Sequence, residues 1–268
     1  MVKRIIVGIV LIAVLLALVW LHGIYLQAAI VLVALAIQYE MIKTIKTSGV
    51  KPVSVVLYAF TLLILPVYRF MGGLPGVFVL QMFAIILIFV TAILFDNYYN
   101  FESIFSSVFT LYYPQLFFVF FYMIITMEDI ELSRLILLMA FATAAMTDIF
   151  AYFIGSFCGR KQLCPNISPK KTVEGALGGL AGGVVGSMLV AILLDNGRVH
   201  LVEYAILAVV LSALAQIGDL AASVVKRRYG VKDFGSVLPG HGGFLDRLDS
   251  TLFILPIIYM FYKLYLGF

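Results

Sequence analysis

Nine stretches of apolar residues, at about 5–21, 24–37, 53–67, 77–95, 109–127, 135–153, 175–194, 201–225 and 251–266, limit what this chain can fold into. A helix needs roughly 20 apolar residues to cross the hydrocarbon of a bilayer. The backbone finds no water there, so a crossing segment is a helix or a strand of a closed barrel. Barrel strands alternate polar and apolar residues over about 10 positions, and these stretches do not alternate. They are read as helices, with ends blurred by Pro66, Pro114 and Pro256. Composition agrees. Hydrophobic residues make up 63% of the chain and charged ones 12%, about half the charged share of a soluble domain. Such a chain cannot clothe a soluble fold in polar surface. A soluble globular enzyme, a secreted disulfide scaffold and a disordered chain are excluded. The expected fold class is all-α, a polytopic integral membrane bundle of about nine transmembrane helices.

Lys3 and Arg4 precede the first stretch as they would in a secretory signal. Its apolar core is longer than a signal's and has no persuasive cleavage site, so it is read as a retained span. Nine crossings put the termini on opposite sides. The loops on the N-terminal side then hold fourteen of the eighteen lysines and arginines, leaving Arg69, Arg134, Arg198 and Lys263 on the other. Basic loops stay in the cytoplasm, so the N-terminus is expected to be cytoplasmic. The protein is expected in the inner membrane if its source is a bacterium. The net charge of +4 fits basic cytoplasmic loops or anionic substrates, with no nucleic acid as partner. Two cysteines, Cys158 and Cys164, and three histidines do not make a disulfide framework or a four-ligand Cys/His zinc site. Both cysteines are read as free thiols.

The chain divides by character at about residue 140. Residues 1–140 are N-terminal transmembrane helices with short loops. Residues 141–268 concentrate glycine, acids near the membrane and basic loops, and are read as a catalytic transmembrane region. Within the seventh stretch, Gly175, Gly179 and Gly183 interleave with Gly178, Gly182 and Gly186. Four-residue spacing sets each series on one helix face, where small residues let backbones approach closely. Packing inside one subunit is the first reading, and a homodimer contact the alternative.

The acids carry the chemistry. Asp148 lies within the sixth stretch and Asp219 within the eighth, while Asp246 and Asp249 open the ninth. A carboxylate in or near hydrocarbon needs a partner. The densest segment, 223–249, joins a basic cluster (Lys226, Arg227, Arg228) to Lys232, to Pro239-Gly-His-Gly-Gly243 and to the two acids. Its glycines free backbone N–H groups to face an anion. A helix starting near Phe244 would aim its positive end at that anion. Asp246 and Asp249, three residues apart, share a face of that helix. Acids, bases and a glycine nest together suit a polyphosphate bound through Mg²⁺. A second segment, 158–175, adds Lys170 and Lys171 after Ser168-Pro169, which favours a turn, and Thr172, which caps the next helix over Gly175. These lysines read as a second phosphate clamp, or as a loop drawn to anionic lipid.

The run from Ser223 to Asp249 resembles the signature of the phosphatidate cytidylyltransferases: a serine, Lys-Arg, Lys-Asp, Pro-Gly-His-Gly-Gly, and Asp-Arg with a final Asp. Asp148, Ala151, Tyr152, Gly155, the run Ile167 to Thr172, Glu174-Gly175 and Gly218-Asp219 match further family motifs. The likeness covers the C-terminal half, while the first 140 residues match only as a hydrophobic multi-span region. It implies that CTP and phosphatidate, the latter entering from the lipid bilayer, give CDP-diacylglycerol and pyrophosphate with Mg²⁺ at a site facing the cytoplasm. On that reading Asp219 and Asp246, then Asp249 and Asp148, are metal ligands, and a second cation is left open. Lys170, Lys171, Lys226, Arg227 and Lys232 offset phosphate charge. Ser223, Gly240, Gly242, Gly243 and Arg247 belong to the substrate site, with Arg247 pairing with Asp219 or a lipid phosphate. His241 orients a phosphate or donates a proton. The rival readings are another membrane phosphotransferase and an ion-coupled transporter that uses the acids as ion ligands.

Overall fold

The protein is described here by a computed structural model covering residues 2–238 and 242–267. Eight of the nine apolar stretches each fall on one helix, to within a residue at the ends, and the stretch at 109–127 runs through two helices and the wider turn between them. Among the described residues, seven helices are long and apolar enough to cross a membrane, while the apolar helices Val7–Leu21 and Ser54–Phe70 are shorter. The chain forms two compact units, Met1–Met123 with Arg228–Arg247, and Ile124–Arg227 with Leu248–Phe268.

In the first unit, α1 (Val2–Leu21), α2 (Gly23–Lys46), α3 (Ser54–Phe70) and α4 (Leu74–Leu94) pack each against the next. Short loops force this. Gly72 and Gly73, at φ +88° and +67°, reverse the chain between α3 and α4. The core is apolar and helically spaced: Ile30, Ala34, Ile37, Met41 and Ile45 on α2 meet a unit that also buries Leu57, Phe60 and Ile64 of α3. Large apolar side chains also cover the outer surface, such as Phe78, Phe83, Ile86 and Ile93 of α4, as expected where lipid is the solvent. Next come α5 (Phe101–Thr110), a wider π turn over Leu111–Leu116, and α6 (Phe117–Ile125). Within the turn Tyr113 leaves helical geometry, at φ −126° and ψ 119°, because the following Pro114 disfavours helix at the residue before it.

The second unit is built on α7 (Ile130–Cys158), a hairpin of β1 (Gln162–Cys164) and β2 (Ser168–Thr172), α8 (Val173–Leu194), α9 (Leu201–Arg228) and α10 (Leu245–Leu266) from Leu248 onward. The glycines of α8 account for its packing on α7. A Cβ at Gly178 would strike Ile154, one at Gly182 would strike Phe150 and Met146, and one at Gly186 would lie 2.8 Å from the Ala142 carbonyl oxygen. Gly183 leaves room for Thr147 of α7 and Ser212 of α9. Both glycine faces are thus filled from within the chain. One local expectation is corrected: Ser168-Pro169 is strand, paired in β2, and the hairpin turns at Pro165, Asn166 and Ile167.

Candidate active site

In the second unit the ends of α7 and α8 are tied before the site begins. Glu174, in the first turn of α8, accepts the N–H groups of Arg160 at 3.0 Å and Lys161 at 3.3 Å. Thr172 caps α8 by accepting the Gly175 N–H at 3.1 Å. Gly155, Gly159 and Gly175 leave space only for the Thr172 side chain and the facing backbone. The hairpin is therefore seated on α7, and Arg227 Nε reaches its turn, donating to the Ile167 carbonyl at 3.2 Å.

This seating aims Lys171. Successive strand residues point to opposite faces, so Lys170 is exposed while Lys171 turns inward to pair with Asp219. Their side chains are 27% and 25% exposed, so the pair is open to solutes. On α9, Asp219, Ser223 and Lys226 stand four and three residues apart, along one helix face. Ser223 and Lys226 are buried. Gly218 sets the depth of the site, because a Cβ there would lie 2.6 Å from the Asp249 carbonyl oxygen and 3.0 Å from Ser250 Cα. That close approach brings Asp249 to α9. Asp249 is buried, 5% exposed, and its carboxylate accepts the Ser250 N–H at 2.7 Å. Its charge feels the carboxylates of Asp219 and Asp148 and the ammonium of Lys226. Asp148 is exposed on α7. The unit therefore gathers three acids from three helices against two ammonium groups.

In the first unit lies the loop expected to hold an anion. Leu238 donates to the Gly242 carbonyl at 3.0 Å, and Gly242 takes φ +84°, a conformation that favours glycine. Gly240 and His241 lie outside the described residues. The α10 helix starts at Leu245, next to the expected Phe244. Protein carboxylates take the N–H groups at its start. Glu40 accepts from Phe244 and Leu245, each at 2.9 Å, and Asp246 Oδ2 accepts from Phe234 at 2.9 Å and Gly243 at 3.0 Å. In this structure α10 aims its positive end at Glu40. Lys232 and Arg247 are exposed.

Sequence reasoning passed over Glu40. A signal existed, since it is the only acid in the first 95 residues.

Helices surfaced for lipid thus carry acids and lysines on α9, α10 and a seated hairpin. The chain belongs to the cytidylyltransferase family, whose sequence profile matches residues 2–265. It is similar to the phosphatidate cytidylyltransferase of Bacillus subtilis, at 35% identity over 189 residues, covering 69% of this chain and 68% of that protein. The phosphatidate cytidylyltransferase of Staphylococcus saprophyticus is 44% identical over 122 residues, 46% of each chain. That of Brucella abortus is 48% identical over 121 residues, 45% of this chain and 44% of the relative. The chain thus spans just over two thirds of the Bacillus protein and less than half of the other two in these matches.

Proposed function

We propose that this chain transfers the cytidylyl group of CTP to phosphatidate, forming CDP-diacylglycerol and releasing pyrophosphate, at the cytoplasmic face of a bacterial inner membrane. The observation that carries the reading is the cluster of Lys171, Lys226, Asp219 and Asp249 in a member of the cytidylyltransferase family. The phosphatidate phosphate is ionised at neutral pH, so its oxygen attacks the α-phosphorus of CTP without a strong base. The new P–O bond forms as the bridge to the β-phosphate breaks, and pyrophosphate leaves with the electron pair. Alignment and charge neutralisation do most of the work in such a transfer. Lys171 is the group that changes partner, holding Asp219 in the free protein and triphosphate oxygens when CTP is bound. Lys226, fixed in the interior of α9, keeps its charge beside Asp249 throughout. Lys170 and Lys232 add cationic charge from solvent.

Mg²⁺ is characteristically held by one or two carboxylates together with substrate phosphates. Asp249, buried beside Asp219, fits that donor set of one or two carboxylates, and among the described residues no group of three or more His, Cys, Asp or Glu side chains stands placed to hold a metal ion without the substrate phosphates. Asp219, Asp249 and Asp148 would hold Mg²⁺, which supplies neutralisation of the triphosphate charge. Asp246 joins them in this proposal on the strength of its sequence motif.

Nine crossings with a cytoplasmic N-terminus complete the reading, supported by the distribution of basic residues. Pyrophosphate release from CTP, measured with and without phosphatidate and Mg²⁺, tests the reaction. Release that ignores phosphatidate would point to another phosphotransferase, and none at all to the transporter reading. Cysteines placed in the 43–51 and 160–171 loops should be shielded from an impermeant thiol reagent in intact cells, and one near Glu131 should react. Labelling of the 160–171 loop from outside would overturn the topology.

A further inference from the structure

Glu40 is fully buried on α2, and both of its carboxylate oxygens are occupied by the first N–H groups of α10, at Phe244 and Leu245. The fit leaves no slack. A Cβ on Gly235 would lie 2.6 Å from Glu40 Oε1, and one on Gly243 would lie 2.5 Å from Oε2. Two further residues of the same stretch hold the same segment. Thr44 Oγ1 donates to the Phe234 carbonyl at 3.3 Å, and Thr47 Oγ1 donates to the Tyr229 carbonyl at 3.1 Å. Positions 40, 44 and 47 follow helical spacing. One stripe of α2, continued by its C-cap Thr47, therefore holds Tyr229, Phe234 and the start of α10 at Phe244 and Leu245. The donors that fix Asp246 Oδ2, the N–H groups of Phe234 and Gly243, belong to the very residues this stripe seats. Phe234 is held through its carbonyl by Thr44, and Gly243 lies against Glu40.

We infer that Glu40 is a positioning residue: its carboxylate anchors Gly243 and the start of α10, and so sets where Asp246 stands. It has a second effect. By satisfying the first N–H groups of α10, it removes the helix N-terminus as a competing phosphate site, leaving substrate phosphates to the lysines. The consequence for turnover rests on the function proposed above, whereas the anchoring does not.

The test uses the full chain in detergent micelles or nanodiscs, with Glu40→Gln and Thr44→Val as variants and two readouts. Amide hydrogen exchange over residues 234–247 reports the anchoring without any reaction. Steady-state kinetics, varying CTP, phosphatidate and Mg²⁺ separately, report the positioning. In Glu40→Gln, one oxygen acceptor is lost and the charge removed while the shape is kept. Exchange at 242–247 should accelerate while the α7–α8 region stays as in the parent protein. Partners that orient ligands typically matter by about 10- to 100-fold, so kcat should fall in that range with the KM for CTP changed far less. The Mg²⁺ concentration for half-maximal rate should rise, which a general loss of folded protein would not produce. Thr44→Val should show the same pattern, smaller. Gly235→Ala, which pushes on the carboxylate, should add little to Glu40→Gln when combined with it. Exchange that accelerates evenly along the chain, or kinetics that stay at the parent values, would overturn the inference. A parent protein that fails to use CTP and phosphatidate, yet shows the localised exchange change, would sink the proposed function and uphold the anchoring.

Discussion

Two pairs of carboxylates in this protein meet the same difficulty, negative charge within an apolar chain, in different ways. Glu40 and Asp246 are answered by backbone N–H groups, four of them at 2.9 to 3.0 Å. Asp219 is answered by the ammonium of Lys171, and Asp249 by the Ser250 N–H with the charge of Lys226 nearby. A backbone donor cannot leave without unfolding its segment. A lysine ammonium rides on a flexible four-carbon stem and can exchange one anion for another. The first arrangement suits a fixed part, and the second suits a site whose occupants come and go.

The largest expected effect comes from the exchangeable site. Asp219→Asn should lower turnover roughly 10²- to 10⁴-fold, since one lost ligand removes several kcal/mol of charge stabilisation. Amide exchange should stay near that of the parent protein. Asp246→Asn should lower turnover comparably but also speed exchange at Phe234 and Gly243. If the two variants matched in both readouts, the contrast between fixed and exchangeable acids would be lost. Lys171→Ala and Lys226→Ala come next. Each removes a charge-assisted contact, so the KM for CTP should rise roughly 10- to 100-fold, with phosphatidate dependence nearly unchanged. Kinetics in mixed micelles check this, and a defect relieved by anionic lipid would assign the lysines to the membrane surface instead.

Smaller effects concern the scaffold. In Gly182→Ala the added methyl meets Phe150 and lies 2.7 Å from the Met146 carbonyl oxygen, so overpacking should cost about 1–3 kcal/mol. The check is the thermal midpoint in detergent, with the KM for CTP unaltered. Thr172→Ala removes the cap on Gly175 and should cost about 1 kcal/mol, read by the same melt. A larger KM change than Lys171→Ala produces would mean that the hairpin, rather than the lysine, governs CTP binding.

Length and apolar pattern were enough to show an all-α fold with helix at each stretch, the fifth being broken at Tyr113, because a backbone in hydrocarbon has so few ways to satisfy itself. Local chemistry was legible wherever partners lie within one turn of each other. The Thr172 cap over Gly175, the start of α10 beside Phe244 and the small faces of α8 all follow from neighbours in the sequence. Three matters were decided only by tertiary structure. The hairpin turned at Pro165 to Ile167 because Thr172 is seated among Gly155, Gly159 and Gly175, and that seat set the strand register. Strand alternation then made Lys171 the partner of Asp219 and left Lys170 outside, a choice that two adjacent lysines cannot reveal. Glu40 met Phe244 across a separation of 204 residues. A hydrogen bond over that distance depends on which helix faces are brought together, and no spacing rule within either segment encodes it.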